Sequence, residues 1–201
     1  LIGFLTIFTF FVLLQMMPYI IRLPTGLAMP AEMVGFILIP GTLCDMVAGP
    51  LTGRMIPVTG CRTPCIVGSL FLISAGVLLI LVPVSAIILV IAWMLFSFGM
   101  SMVATADLIG VMDHVGEERT AEATGIIQSM QTLGGMIGPI VTGIILASFQ
   151  TVMVIHGENW EVPKPFAYHW VFLTVIAVSS IILIVSFLFL HDRHTEGYVG
   201  S

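Results

Sequence analysis

The 201 residues are 58% hydrophobic and only 8% charged, with a mean hydropathy of +1.15, which leaves too little polar surface to cover a water-soluble globule. The net charge of -5 includes only six Lys and Arg, too few for a basic stripe, so nucleic acid is excluded as a partner and a lipid bilayer is implied. Three cysteines, Cys44, Cys61 and Cys65, have no matching His or Cys cluster, and packing thiols are expected rather than metal ligands or a cofactor site.

Crossing a bilayer core about 30 Å thick takes about 20 apolar residues in helical form, because unbonded backbone groups are too costly in hydrocarbon. Six stretches qualify, which predicts an all-α, polytopic six-helix bundle. The chain begins at Leu1 with no initiator Met and no basic flank, so its first apolar stretch does not read as a signal peptide and the chain is expected to be a piece of a longer one.

In chain order, the first span is expected over Leu1 to Ile21, stopping at Arg22, with Gln15 within a turn of Pro18. The second covers about Met33 to Leu51 between Glu32 and Arg54 and carries Pro40, Gly41 and Asp45. The third covers Cys65 to Val82 before Pro83, and the fourth Val84 to Ala106, with Asp107 just beyond it. The fifth covers about Ala123 to Val154, longer than a membrane requires, with a tilt or a kink expected at Pro139. The last covers Trp170 to Leu190 and is closed by a polar tail.

Arg54, Arg62, Arg119 and Arg193 fall on one side of this path, Arg22 and Lys164 on the other. By the positive-inside rule both ends are cytoplasmic, and His156 to His169 lies outside with Trp160, Tyr168 and Trp170 as an interfacial belt. The five histidines are all expected outside the spans, as solvated residues.

Between the second and third spans stands Gly49-Pro50-Leu51-Thr52-Gly53-Arg54-Met55-Ile56-Pro57-Val58-Thr59-Gly60-Cys61-Arg62. This resembles the cytoplasmic signature loop of the major facilitator superfamily, G-x-L-x-D-R-x-G-R, with Gly53, Met55 and Gly60 in place, Arg62 as the closing arginine, and Pro57 and Val58 replacing the aspartate and first arginine. A second run, Glu118-Arg119-Thr120-Ala121-Glu122-Ala123-Thr124-Gly125, leads into a glycine-rich span with Gln128 and Gln131. It is similar to the penultimate helix of fourteen-span drug:proton antiporters. The resemblance implies the C-terminal half of such a carrier, built as a 3+3 inverted repeat and working with a missing N-terminal half, a small-molecule substrate and protons.

Asp45 lies near the middle of its span, where a charge costs on the order of 3 kcal/mol on insertion scales. It is the candidate for proton coupling. Asp107, at the edge of the hydrocarbon, is grouped with Gly53, Gly60 and Arg62 as a cytoplasmic gating contact. Gln128 and Gln131, three apart on one helix face, are candidates for a substrate cavity, as is Gln15 more weakly. Gly134, Gly138 and Thr142 recur every four residues, as do Gly135, Pro139 and Gly143, which predicts close helix packing or a hinge. Pro40 and Gly41 predict a similar bend.

Other classes fit less well. The sequence holds no Gly-x-Ser-x-Gly and no H-E-x-x-H, and its two deep aspartates are expected at different depths, so a membrane enzyme is not expected. No cation is expected in mid-membrane, which disfavours anionic substrates. A sugar facilitator or a non-transporting scaffold remains as the alternative.

Overall fold

Hydrocarbon offers backbone groups no water, so each apolar stretch closes its hydrogen bonds internally as a helix. The computed structural model describes residues 1–82, 85–113, 115, 119–155 and 158–189. Pro83, Val84, His114, Glu118, His156 and the tail from Leu190, with Arg193, lie outside the described residues. Among the described residues, six helices are long and apolar enough to cross a membrane: α1 (Ile2–Arg22), α2 (Glu32–Thr59), α3 (Arg62–Leu81), α4 (Ala86–Met112), α5 (Thr120–Ser148) and α6 (Pro165–Phe189).

Several boundaries differ from expectation, among them the end of α4, which runs to Met112 and not Ala106. Helix α2 runs past Leu51 to Thr59, through Pro50 and Pro57, so Gly53 and Arg54 are helical and not part of a loop. The turn is confined to Gly60 and Cys61, where Gly60 adopts a φ of 73°, open to a residue without Cβ, and its amide donates to the Ile56 carbonyl at 2.8 Å.

Helix α5 stops at Ser148 and not at Val154, its length of about 43 Å at 1.5 Å per residue already exceeding the bilayer core. The apolar, β-branched residues that follow form strand β1 (Gln150–Ile155), antiparallel to β2 (Glu158–Pro163), with Met153 opposite Trp160. This hairpin is a small addition to an otherwise helical fold. Helix α6 then starts at Pro165 rather than Trp170, proline being well suited to a first helical position. His169 therefore lies within a span, its Nδ1 3.2 Å from the Pro165 carbonyl oxygen.

Helix α1 packs along α5 and α6, α4 packs along α2 and α3, and α3 packs on α6. Exchanging α1 with α4, α2 with α5 and α3 with α6 returns the same set of partners, the packing signature of a 3+3 repeat. Where α3 and α4 cross, Gly68 and Gly99 bring the backbones together, and a Cβ on Gly68 would lie 2.7 Å from the Gly99 carbonyl oxygen. Val12, Met16 and Met17 of α1, Leu72 of α3, Phe96 of α4 and Phe172 of α6 fill the centre. Helices α2 and α5 instead leave broad faces uncovered, including Phe36, Leu43 and Met46 on one and Ile126, Met136 and Ile140 on the other.

Candidate functional site

The longer α2 puts Asp45 at the helix midpoint, deeper than its sequence span implied. Its main chain is pinned to α4, since Ser101 Oγ donates to the Asp45 carbonyl oxygen at 3.2 Å. Its side chain is exposed on the surface of the bundle, as are Thr42 and Met46. One turn earlier, Pro40 has no N–H to give the Phe36 carbonyl, which weakens the helix at that point. The bare α-carbon of Gly41 lies against the Trp93 indole and Ser97 of α4, and no larger residue would fit. The buried Trp93 Nε1 has no hydrogen-bond partner among the described residues.

The other seam, α5 on α1, is built in the same way. Side-chain carbons on Gly134 and Gly138 would collide with the Phe4 and Phe8 carbonyl oxygens, and Thr142 Oγ1 donates to the Val12 carbonyl at 3.2 Å. Close packing is thus the role of these small residues, and Gly135 adds contact with the Phe11 ring. Gly143 is different: it is exposed and faces open space, so it takes no part in the seam. Pro139 is half-buried inside α5.

Gln128 and Gln131 are split by their angular offset of about 60° on a helix with 3.6 residues per turn. Gln128 is exposed, as is Gln15 on α1, whereas Gln131 is half-buried and turned toward α1. There the α-carbon of Gly3 draws two side chains together: a Cβ on it would lie 2.7 Å from Asp107 Oδ2 and 3.5 Å from Gln131 Nε2. The Asp107 carboxylate accepts a hydrogen bond from the Gly3 backbone amide. Asp107 belongs to α4 itself, about 12 Å from its midpoint at 1.5 Å per residue, rather than following the helix.

Arg62 opens α3 and reaches across to the end of α6. Its Nη2 donates to the Phe187 carbonyl oxygen at 3.0 Å, and its guanidinium carbon sits 4.8 Å from the centre of the Phe187 ring. Counted from Gly53, the closing arginine of the signature pattern falls on Cys61, so Arg62 stands one residue beyond it. Its contact is a clamp on a helix C-terminus, where a cation is favoured. Arg62→Ala is expected to destabilise the bundle by about 1 kcal/mol and to speed amide hydrogen exchange in the last turn of α6, with Arg62→Lys intermediate.

Tyr168 is not part of an interfacial belt. It is buried, and its hydroxyl meets Thr25 Oγ1 at 2.8 Å, tying the α1–α2 connection to α6, while Trp160 and Trp170 are exposed. Gly3 and Trp93 were not legible as site residues, because a lone glycine or tryptophan in an apolar run carries no periodic signal.

The family model described as Major Facilitator Superfamily matches residues 1–199. The chain is also 24% identical over 140 residues to "Multidrug resistance protein Stp" of Mycobacterium tuberculosis, an alignment covering 69% of this chain and 26% of that protein. It is 26% identical over 151 residues to "Lincomycin resistance protein LmrB" of Listeria monocytogenes, covering 74% of this chain and 31% of that protein. The chain thus spans about a quarter to a third of the length of these curated relatives. Six membrane-length helices, a packing scheme with repeat symmetry and a family match over nearly every residue lead to one assignment: this chain is a multi-pass membrane protein of the Major Facilitator Superfamily.

Proposed function

We propose that this bundle is the C-terminal half of a secondary transporter in the cell membrane, exporting small molecules in exchange for protons by alternating access. Both ends of the segment are cytoplasmic in this reading, and no covalent catalysis is involved. The observation that supports it best is the pair of uncovered faces on α2 and α5, which carry Asp45 and Thr42 on one and Gln128, Ser129 and Thr132 on the other.

Acyl chains are a poor environment for a carboxylate at mid-span, where it costs on the order of 3 kcal/mol. A wet cleft against a second, N-terminal bundle removes that cost. In such a cleft Asp45 takes up and releases the proton, and Gln128 and Gln15 offer amides to the substrate. The backbone of α2 bends at Pro40 and Gly41, and that of α5 at Pro139, as the two bundles rock. The names of the two relatives, multidrug and lincomycin resistance proteins, favour drug-like cargo.

The test is to reconstitute the intact transporter in proteoliposomes and to follow release of a lipophilic dye under an imposed proton gradient. Gradient-dependent movement abolished by a protonophore supports the reading. Movement indifferent to the gradient removes proton coupling, and no movement at all with any tested drug removes the exporter.

A further inference from the structure

Trp93 of α4 is only 2% exposed, yet its indole Nε1 has no hydrogen-bond partner among the described residues. Buried polar groups in folded proteins are nearly always bonded, so an open indole N–H in the core calls for an acceptor. The ring is fixed from two sides by Phe10 of α1 and Phe96 of α4, whose ring centres lie 6.0 and 5.7 Å from its own. On a third side it meets the bare main chain of α2. A Cβ on Gly41 would lie 2.5 Å from Trp93 Nε1 and 2.9 Å from Ser97 Oγ, so two groups able to donate reach α2 at this one glycine.

Asp45 follows Gly41 by four residues, which puts both on one face of α2 with Cβ positions about 5 to 6 Å apart. Helical side chains lean toward the helix N-terminus, and this lean carries the Asp45 carboxyl back toward the turn of Gly41. The other acidic residues of α2 and α4 are remote. Glu32 is nine residues from Gly41 and Asp107 fourteen from Trp93, about 14 and 21 Å along the two axes at 1.5 Å per residue. In the observed state the Asp45 side chain is exposed, while its main-chain carbonyl is tied to α4 by Ser101. That tie holds the α-carbon in place and leaves χ1 free to turn.

We infer that Trp93 is a positioning residue for Asp45: its indole N–H, joined by the Ser97 hydroxyl, receives the Asp45 carboxylate once the proton has left to cleft water. Asp45 thus exchanges between an outward position in the cleft and an inward one against α4. A carboxylate at this depth needs donors when it gives up its proton, and α4 holds them ready one turn away. The inference rests on Asp45 as the coupling group and adds to it the side chains that hold its charged form. Gly41 gains a second role beside the bend, since it is the opening through which the indole reaches α2.

The test uses the intact transporter in lipid nanodiscs and the nitrogen–proton NMR signal of the Trp93 indole, assigned by its loss in Trp93→Phe. Asp45→Ala removes the acceptor and is expected to move this signal upfield, as a lost hydrogen bond does, while those of Trp160 and Trp170 stay in place. In proteoliposomes, Trp93→Phe is expected to lower the ratio of gradient-driven to downhill dye movement by roughly tenfold, the effect of one hydrogen bond to a charged group. A role in packing alone lowers both movements equally and leaves the ratio unchanged. Should Trp93→Phe not fold, benzothienylalanine at position 93, of indole shape without the N–H, replaces it in both measurements. A Trp93 signal unmoved by Asp45→Ala overturns the inference, and so does an unchanged ratio in Trp93→Phe when Asp45→Asn abolishes gradient-driven export. Export that still follows the gradient in Asp45→Asn, beside a Trp93 signal that moves in Asp45→Ala, removes the coupling role of Asp45 and leaves its contact with Trp93 standing.

Discussion

Asp45→Asn in the intact transporter is expected to abolish proton-driven export while leaving the protein folded. Asparagine has nearly the same shape as aspartate but cannot exchange a proton. The backbone contact from Ser101 is made to the Asp45 carbonyl, so it survives the substitution. An exposed side chain at the midpoint of α2 also contributes little packing, and stability should change by less than about 0.5 kcal/mol. The drop in the initial rate of gradient-driven dye export should be roughly tenfold or more, equivalent to at least about 1.4 kcal/mol in the coupled step. Downhill movement without a gradient should persist. A variant whose export still responds fully to the gradient would remove Asp45 from the coupling mechanism, and Asp107 would then be the next carboxyl to examine.

The largest structural effect is expected at the α1–α5 seam. A Cβ on Gly138 would lie 2.8 Å from the Phe8 carbonyl oxygen and 3.2 Å from Phe11 Cβ, so the obstacle is largely backbone that cannot swing aside. Gly138→Leu should destabilise the bundle by about 2 to 3 kcal/mol, the upper end of overpacking, and lower the midpoint of thermal unfolding in detergent. Gly134→Leu should behave in the same way, because its Cβ would collide with the Phe4 carbonyl. Gly143→Leu is the control: it is on the same helix, in open space, and its stability should be close to that of the parent. Equal losses at Gly138 and Gly143 would mean that helix propensity, and not the seam, sets the cost.

The two seams account for a general feature of this bundle. With lipid on the outside, apolar burial gives helices little reason to associate, and close backbone contact with a few hydrogen bonds must do the work. The α1–α5 seam uses Gly134, Gly138 and the Thr142 hydroxyl; the α2–α4 seam uses Gly41, Gly49 and the Ser101 hydroxyl. Each seam includes one side-chain hydroxyl donating to a main-chain carbonyl on the neighbouring helix. Similar seams on the two sides of the bundle are what two copies of one three-helix unit produce.

Composition and span length alone determined the solvent, the number of helices and their order, because hydrocarbon allows an apolar chain of this length almost no other backbone arrangement. The four-residue recurrence of Gly134, Gly138 and Thr142 also marked a packing face, since side chains four apart align on a helix. Periodicity could not say which partner each face meets, and so it could not distinguish Gly138, pressed on α1, from Gly143, which faces open space. It read residues 149–154 as more helix, where strand pairing with 158–163 takes over once the bilayer has been crossed. Only the tertiary structure brought Asp107, Gln131 and Gly3 together from three helices and sent Arg62 to the end of α6. Contacts between residues more than a hundred positions apart depend on how helices lean on one another, and a local pattern along one helix contains no record of that.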